Sequence, residues 1–157
     1  MGGLYDYFRA ADSQAVAKLM KLRGRGPVVR FGAESIVDAV DAKGIEYDVI
    51  LGKLVALVRG VPWYVGIVDT ATVWPRTSWW WNSSSWVDQI GDSVRDTLAS
   101  IEDDRLVEYA EQWSRIEELS RWSTPDINYL REVSNDLVGL SRRAVAAGDH
   151  LYCWVCP

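Results

Sequence analysis

The spacing of apolar residues predicts strands at both ends of the chain and helices between them. Residues 3–10 (GLYDYFRA) alternate and are rich in aromatic side chains, which suits a half-buried strand. Residues 150–156 (HLYCWVC) predict a closing strand, and the β-branched, apolar run at residues 35–41 (SIVDAVD) predicts a further strand. The terminal strands therefore bracket a mainly helical middle.

Two helices are predicted in the first half of the chain. Apolar residues spaced three and four apart indicate a helix over residues 13–23, which Gly24 ends. A second helix is predicted over residues 46–59, with Gly60 after it. Because the apolar residues of this second helix fall all around its surface, we expect it to be buried in the core.

Three more helices are predicted in the second half. Apolar periodicity indicates helices over residues 87–100 and over residues 103–120. The sequence Ser123-Thr-Pro-Asp126 is typical of a helix start, and the long helix after it ends at Gly148. This helix leads directly into the last strand, as in the second half of a βαβ unit, which favours some parallel pairing.

These elements predict an α/β (or α+β) fold in a single domain over residues 1–157. We expect a small mixed sheet, formed by the N- and C-terminal strands, with about five helices packed on it. The length of 157 residues suits one domain and is enough to bury a core without disulfides or metals.

Charge and composition narrow the class of partner. The formal net charge of −5 argues against nucleic acid, because binding phosphates needs clustered Lys and Arg. The first residues lack the basic start and apolar run of a signal peptide, and no apolar run is long enough to span a membrane. With Cys153 and Cys156 as the only cysteines, we expect a reducing, cytoplasmic location.

The segment WPRTSWWWNSSSW holds five of the nine tryptophans of the chain and is the main candidate for binding. Its candidate ligand- or partner-binding residues are Trp74, Arg76, Trp79, Trp80, Trp81 and Trp86. They could form a stacking platform for a small ligand, a contact with another protein, or a foot at a membrane surface. The membrane is disfavoured because Arg76 is the one basic residue there. The alternative is that alternate rings fill the core.

Candidate catalytic and metal-binding chemistry is sparse. His150, Cys153 and Cys156 have the spacing H-x2-C-x2-C, which offers three zinc ligands. In a strand, however, residues three apart point to opposite faces, and no helix follows the C-x-x-C pair to activate a thiol. The acidic runs 102–104 and 117–118 suit helix capping and solvation. We therefore predict no catalytic residue and no cofactor.

Four segments together resemble the YfbM-like family of small bacterial proteins, a domain of unknown function. They are YFRAADSQAVAKLM, VDAVDAKGIEYDVILGKLVALVRG, VRDTLASIEDDRLVEY and SRRAVAAGDHLYCWV. The family usually shows Asp-Lys-x-Trp after its second strand, whereas this chain has Asp41-Ala-Lys43-Gly44. The resemblance implies an α/β sandwich. It implies no activity, and it carries no functional residue over to this chain.

Two functional hypotheses follow. The first is a non-enzymatic cytoplasmic protein that binds another protein, such as an immunity-type protein that neutralises a basic effector. Small size, acidity and the lack of a catalytic constellation favour it. The alternative is a small-ligand-binding or enzymatic domain in which the segment from Trp74 to Trp86 lines a pocket. The sequence does not determine the oligomeric state.

Overall fold

A five-stranded antiparallel sheet runs through the described part of the protein. The computed structural model describes residues 3–22, 26–27, 37–75, 85–121 and 126–157. Within these ranges the strands are β1 (Leu4–Ala10), β2 (Ala39–Asp41), β3 (Thr70–Trp74), β4 (Trp86–Ile90) and β5 (His150–Cys156). Their order across the sheet is β2-β1-β5-β4-β3.

Six α-helices of the described residues accompany the sheet. They are α1 (Ser13–Leu22), α2 (Gly52–Arg59), α3 (Asp92–Ala99), α4 (Asp103–Ser114), α5 (Glu117–Ser120) and α6 (Ile127–Ala147). A π-helical turn, Tyr47–Leu51, leads directly into α2. None of these helices has the length and apolar content that a membrane span needs.

The predicted α/β class and the terminal strands are confirmed. β1 and β5 pair along their whole length, from Leu4 opposite Cys156 to Ala10 opposite His150. The expected parallel pairing is wrong, because every pair of described strands is antiparallel. Between β4 and β5 the chain passes through four helices rather than one crossover helix, so nothing forces β5 to run parallel to its neighbour.

The sheet separates two apolar clusters. The larger cluster lies under α2, α3, α4 and α6, and β5 contributes Leu151, Cys153 and Val155 to it. The smaller cluster lies under α1, where Tyr152 and Trp154 point away from the larger one. Both faces of β5 are therefore buried, as the central position of this strand requires.

The helix predicted over residues 87–100 is wrong in its first part. Residues 86–90 form β4, and α3 begins after Gly91. Val87 belongs to the smaller cluster and Ile90 to the larger one, so the segment alternates as a strand does. Val94 and Leu98 are spaced as in a helix and lie in α3. Ile90 fits the same spacing although it belongs to β4, so the pattern predicted a helix that begins too early.

The other helix predictions need smaller corrections. The helix predicted over 46–59 begins as the π-helical turn, and the helix predicted over 103–120 is divided at Arg115 into α4 and α5. Gly60 and Gly148 adopt the left-handed conformation and end their helices as predicted. The predicted stop at Gly24 and the residues before Asp126 in the predicted helix start lie outside the described residues. Asp126 itself caps α6.

Candidate functional site

The structure describes only the two ends of the tryptophan-rich segment. Trp74 ends β3 and Trp86 begins β4, whereas Arg76 and the candidates Trp79, Trp80 and Trp81 lie outside the described residues. Trp74 packs on the smaller cluster and Trp86 on the larger one. The two rings are therefore on opposite faces of the sheet and do not line one surface together.

Trp86 helps to hold a buried carboxylate on the face of the sheet that carries the larger apolar cluster. Asp88 is 4% exposed and accepts hydrogen bonds from the Trp86 indole at 2.9 Å and the Thr72 hydroxyl at 2.6 Å. The Tyr47 hydroxyl donates a third hydrogen bond. Burial, and next the hydrogen bond to Asp88, raise the pKa of Tyr47, so this hydroxyl keeps the proton that it donates. These three donors replace the water that a buried carboxylate loses.

Tyr47 belongs to the π-helical turn, so Asp88 ties this turn to the sheet. In a π-helical turn each N–H donates to the carbonyl five residues earlier, as the Leu51 N–H does to the Glu46 carbonyl at 2.9 Å. Some carbonyls of the turn therefore need hydrogen-bond donors from elsewhere. Two indole N–H groups supply them. Trp113 donates to the Ile50 carbonyl at 2.7 Å, and Trp63 donates to the Asp48 carbonyl at 3.0 Å.

Trp63 belongs to a loop that folds back along α2. It packs against Gly52, where an added Cβ would lie 2.9 Å from the Trp63 indole nitrogen. Further along, the Ile67 N–H donates to the Tyr64 carbonyl at 3.1 Å, closing a tight turn, and Gly66 has a φ of +89°. A glycine is needed there because other residues rarely adopt a positive φ. Ile67 and Val68 are buried and anchor the end of the loop.

The tip of this loop presents apolar side chains to solvent. We call residues 61–66 (VPWYVG) the apolar turn. Within it Val61 is 43% exposed, Tyr64 is 55% exposed and Val65 is 86% exposed. The other large apolar residues exposed in the described chain, Leu22, Val107 and Val145, are isolated from one another in sequence. Isolated exposed valines and leucines are ordinary, but a contiguous group of them usually marks a contact surface.

Negative charge lies beside the apolar turn. Asp48, whose carbonyl holds Trp63, is exposed and has no cation within ion-pair distance among the described residues. Partial burial of its carboxyl, followed by the negative charge of Asp88, raises its pKa. The nearby Lys53 is already paired with Glu118 at 2.6 Å. Asp48 therefore places a carboxylate without an ion-pair partner next to Trp63 of the turn.

The candidate metal ligands do not converge. Cys153 points to the larger cluster, whereas His150 and Cys156 point to the other face and are six residues apart in a regular strand. Six residues of strand span roughly 20 Å, too far for one metal ion. Among the described residues no group of three His, Cys, Asp or Glu could hold a metal ion.

His150 and Cys153 are instead engaged in the structure. The His150 Nδ1 lies 2.8 Å from the Asp92 carboxylate, and no hydroxyl or thiol of the described residues is hydrogen-bonded to this ring. Burial, reinforced by Asp6 and Asp88, raises the pKa of the Cys153 thiol well above its usual range. A buried, protonated thiol is a poor nucleophile, so this cysteine serves the core.

Two grooves flank α6, and neither favours a small ligand. The larger groove, about 550 Å³, lies between β2 and α6, is partly open to solvent and has mainly polar walls. The smaller groove, about 350 Å³, lies between α4 and α6. Arg142 and Arg131 beside these grooves are paired with Asp103 and Glu111 at 2.8 and 2.9 Å. Ligand pockets are usually enclosed, whereas both grooves are open to solvent and the larger one also has mainly polar walls.

Sequence reasoning did not single out the apolar turn. Its residues fall between Gly60 and the tryptophan-rich segment, which contains more aromatic residues and drew the prediction. A signal is present all the same. VPWYV is an apolar run between two glycines with neither strand nor helix periodicity, so no regular element buries it.

The fold and site together define a small α/β protein with a firmly held apolar turn beside an unpaired carboxylate. Comparison with family models, with curated proteins and with solved structures finds no match to this chain. The resemblance to the YfbM-like family therefore stays a prediction.

Proposed function

We propose that this chain is a partner-binding protein and that the apolar turn, residues 61–66, is its contact surface. The observation that carries the proposal is the joint exposure of Val61, Tyr64 and Val65 in a loop whose backbone is fixed. An immunity-type role, in which binding neutralises another protein, is one form of this function.

The way in which the turn is held supports binding. Trp63 is anchored on the Asp48 carbonyl, and Gly52 leaves room for its ring. Because contacts within the protein already hold the turn, the loop loses little conformational entropy when a partner binds. Tyrosine is among the residues that dominate interface energies, so Tyr64 is the expected anchor and Val65 the apolar contact beside it.

The alternative function, a small-ligand or enzymatic domain, has less support. The apolar turn is an exposed loop tip, in which Val65 is 86% exposed, whereas small-molecule sites are concave and surround the ligand. Trp74 and Trp86 lie on opposite faces of the sheet, and the larger groove beside α6 is mainly polar. Each of these observations favours a protein surface as the binding partner.

In-cell photo-cross-linking tests the proposal. A photo-reactive amino acid is placed at Val65 and, in a control chain, at Val145, an exposed valine of α6. We expect the probe at position 65 to give one discrete adduct with another protein, identifiable by mass spectrometry, that the probe at 145 does not give. Adducts of equal yield and pattern at both positions, or none at position 65, would contradict the proposed surface.

A further inference from the structure

We infer that the partner of the apolar turn is a basic polypeptide, in which a Lys or Arg pairs with Asp48 while a neighbouring apolar side chain covers Tyr64 and Val65. This inference rests on the proposed function and specifies the chemistry of the partner. It follows from what the structure places next to the turn.

The first step is the position of Asp48 relative to the apolar turn. The indole N–H of Trp63 donates to the Asp48 carbonyl at 3.0 Å, so the residue that precedes Tyr64 and Val65 lies directly on Asp48. The side chain of Asp48 is exposed to solvent beside this contact. A segment that covers the tip of the turn therefore passes close to this carboxylate.

The second step is that Asp48 is left without a counter-charge. Some acids elsewhere in the described chain are paired, as Asp38 is with Arg9 and Arg143, both at 2.7 Å. No described cation lies within 4 Å of the Asp48 carboxylate, and the negative charge of Asp88 acts on it. Desolvating an unpaired carboxylate at an interface is costly unless the partner supplies a cation.

The third step distinguishes the basic polypeptide from other occupants. A second copy of the chain would bring an identical Asp48 carboxylate beside its own apolar turn, and each copy has a formal net charge of −5. An anionic membrane surface would be repelled by the same carboxylates. A basic segment meets both requirements, since it pairs with Asp48 and is attracted by the charge of the whole chain.

Selection of peptides from a random dodecapeptide phage library tests the inference. The immobilised full chain is the bait, and the double variant Tyr64→Ala/Val65→Ser removes peptides that bind elsewhere. We expect the enriched peptides to carry net positive charge and a large apolar residue next to Lys or Arg. Enrichment of neutral or acidic peptides would overturn the inference.

Titration of one enriched, synthesised peptide then isolates the role of Asp48. We expect Asp48→Asn to weaken binding at least about fivefold at low salt, and Asp48→Glu to retain most of it. The control Asp104→Asn removes another exposed carboxylate, at the start of α4, and should change the affinity less than about twofold. Raising salt from about 50 mM to about 500 mM should abolish most of the difference between wild type and Asp48→Asn.

The outcomes separate the inference from the proposed function. Peptides that need Tyr64 and Val65 but bind Asp48→Asn as well as wild type overturn the inference and leave the contact surface standing. Failure of any peptide to enrich against the double variant contradicts both. If sedimentation shows a dimer of the wild-type chain and a monomer of the double variant, the turn binds a second copy and the inference of a basic partner is overturned. Binding of the wild type, but not of the double variant, to anionic vesicles would overturn it as well.

Discussion

Tyr47→Phe tests the contact that ties the π-helical turn, against which Trp63 of the apolar turn is held, to the sheet. The substitution deletes one hydroxyl and leaves the ring, so the Asp88 carboxylate keeps Thr72 and Trp86 as donors and loses the third. A hydrogen bond to a charged, buried acceptor contributes about 1.5–3 kcal/mol. For a chain of this length each kcal/mol moves the melting temperature by roughly 2–4 °C, which predicts a fall of about 3–12 °C.

Equilibrium urea unfolding, followed by tryptophan fluorescence, measures this loss. The matched control is Tyr129→Phe, because the Tyr129 hydroxyl donates to the exposed Lys43 carbonyl at 2.8 Å and not to a buried charge. We expect the control to cost less than about 1 kcal/mol. A double-mutant cycle of Tyr47→Phe with Thr72→Val should show coupling of about 0.5–2 kcal/mol through the shared carboxylate. A loss for Tyr47→Phe no larger than that of the control would refute the argument that Asp88 anchors the π-helical turn.

Three further predictions concern other parts of the molecule. Gly52→Ala should lower stability by about 1–3 kcal/mol in urea unfolding, because its Cβ would lie 2.9 Å from the Trp63 indole nitrogen. The control Gly139→Ala, whose Cβ would meet only the terminal nitrogen of Arg143 that does not bond Asp38, should raise stability by about 0.5–1 kcal/mol. A stabilising Gly52→Ala would count against the packing described. In thiol titration the native protein should react at the partly exposed Cys156 but not at the buried Cys153, which reacts only in denaturant; rapid reaction of a Cys156→Ser variant would contradict this. The hydrogen bond from Arg143, followed by that from Arg9, lowers the pKa of Asp38, so its stabilisation is present above the ordinary carboxyl pKa and is lost as pH falls through the lowered value. Asp38→Asn should therefore cost about 1 kcal/mol at neutral pH and progressively less as pH falls through the lowered pKa, and a cost that does not change with pH would be inconsistent with these ion pairs.

Much of the fold was predictable because it depends on local pattern. β1 is rich in aromatic residues, β5 is an apolar run of strand length, and α6 carries an apolar stripe over most of its length, so all three were predicted correctly. β4 was missed because five residues of strand run into a helix whose apolar spacing happens to include Ile90. Antiparallel order was not predictable, since it depends on which strands become neighbours after the helices between them have packed.

The site was harder to predict than the fold. Aromatic density drew attention to residues 74–86, whereas the exposed apolar group lies in residues 61–66. Whether an apolar residue is exposed depends on what packs over it, and a short loop has no periodicity to reveal this. The sequence did not predict the role of Asp88 for a related reason. Its donors Tyr47 and Thr72 are distant in sequence and meet it only when the π-helical turn docks on the sheet.

The central claim, that the apolar turn is the contact surface, is tested most directly by one affinity comparison. The protein cross-linked through position 65 is purified and titrated with wild type, with Tyr64→Ala/Val65→Ser and with the control Val145→Ser. We expect the double variant to bind about 30-fold more weakly or worse, since an interface anchor contributes 2 kcal/mol or more, and the control to bind as wild type does. Equal affinities for wild type and the double variant would contradict the claim.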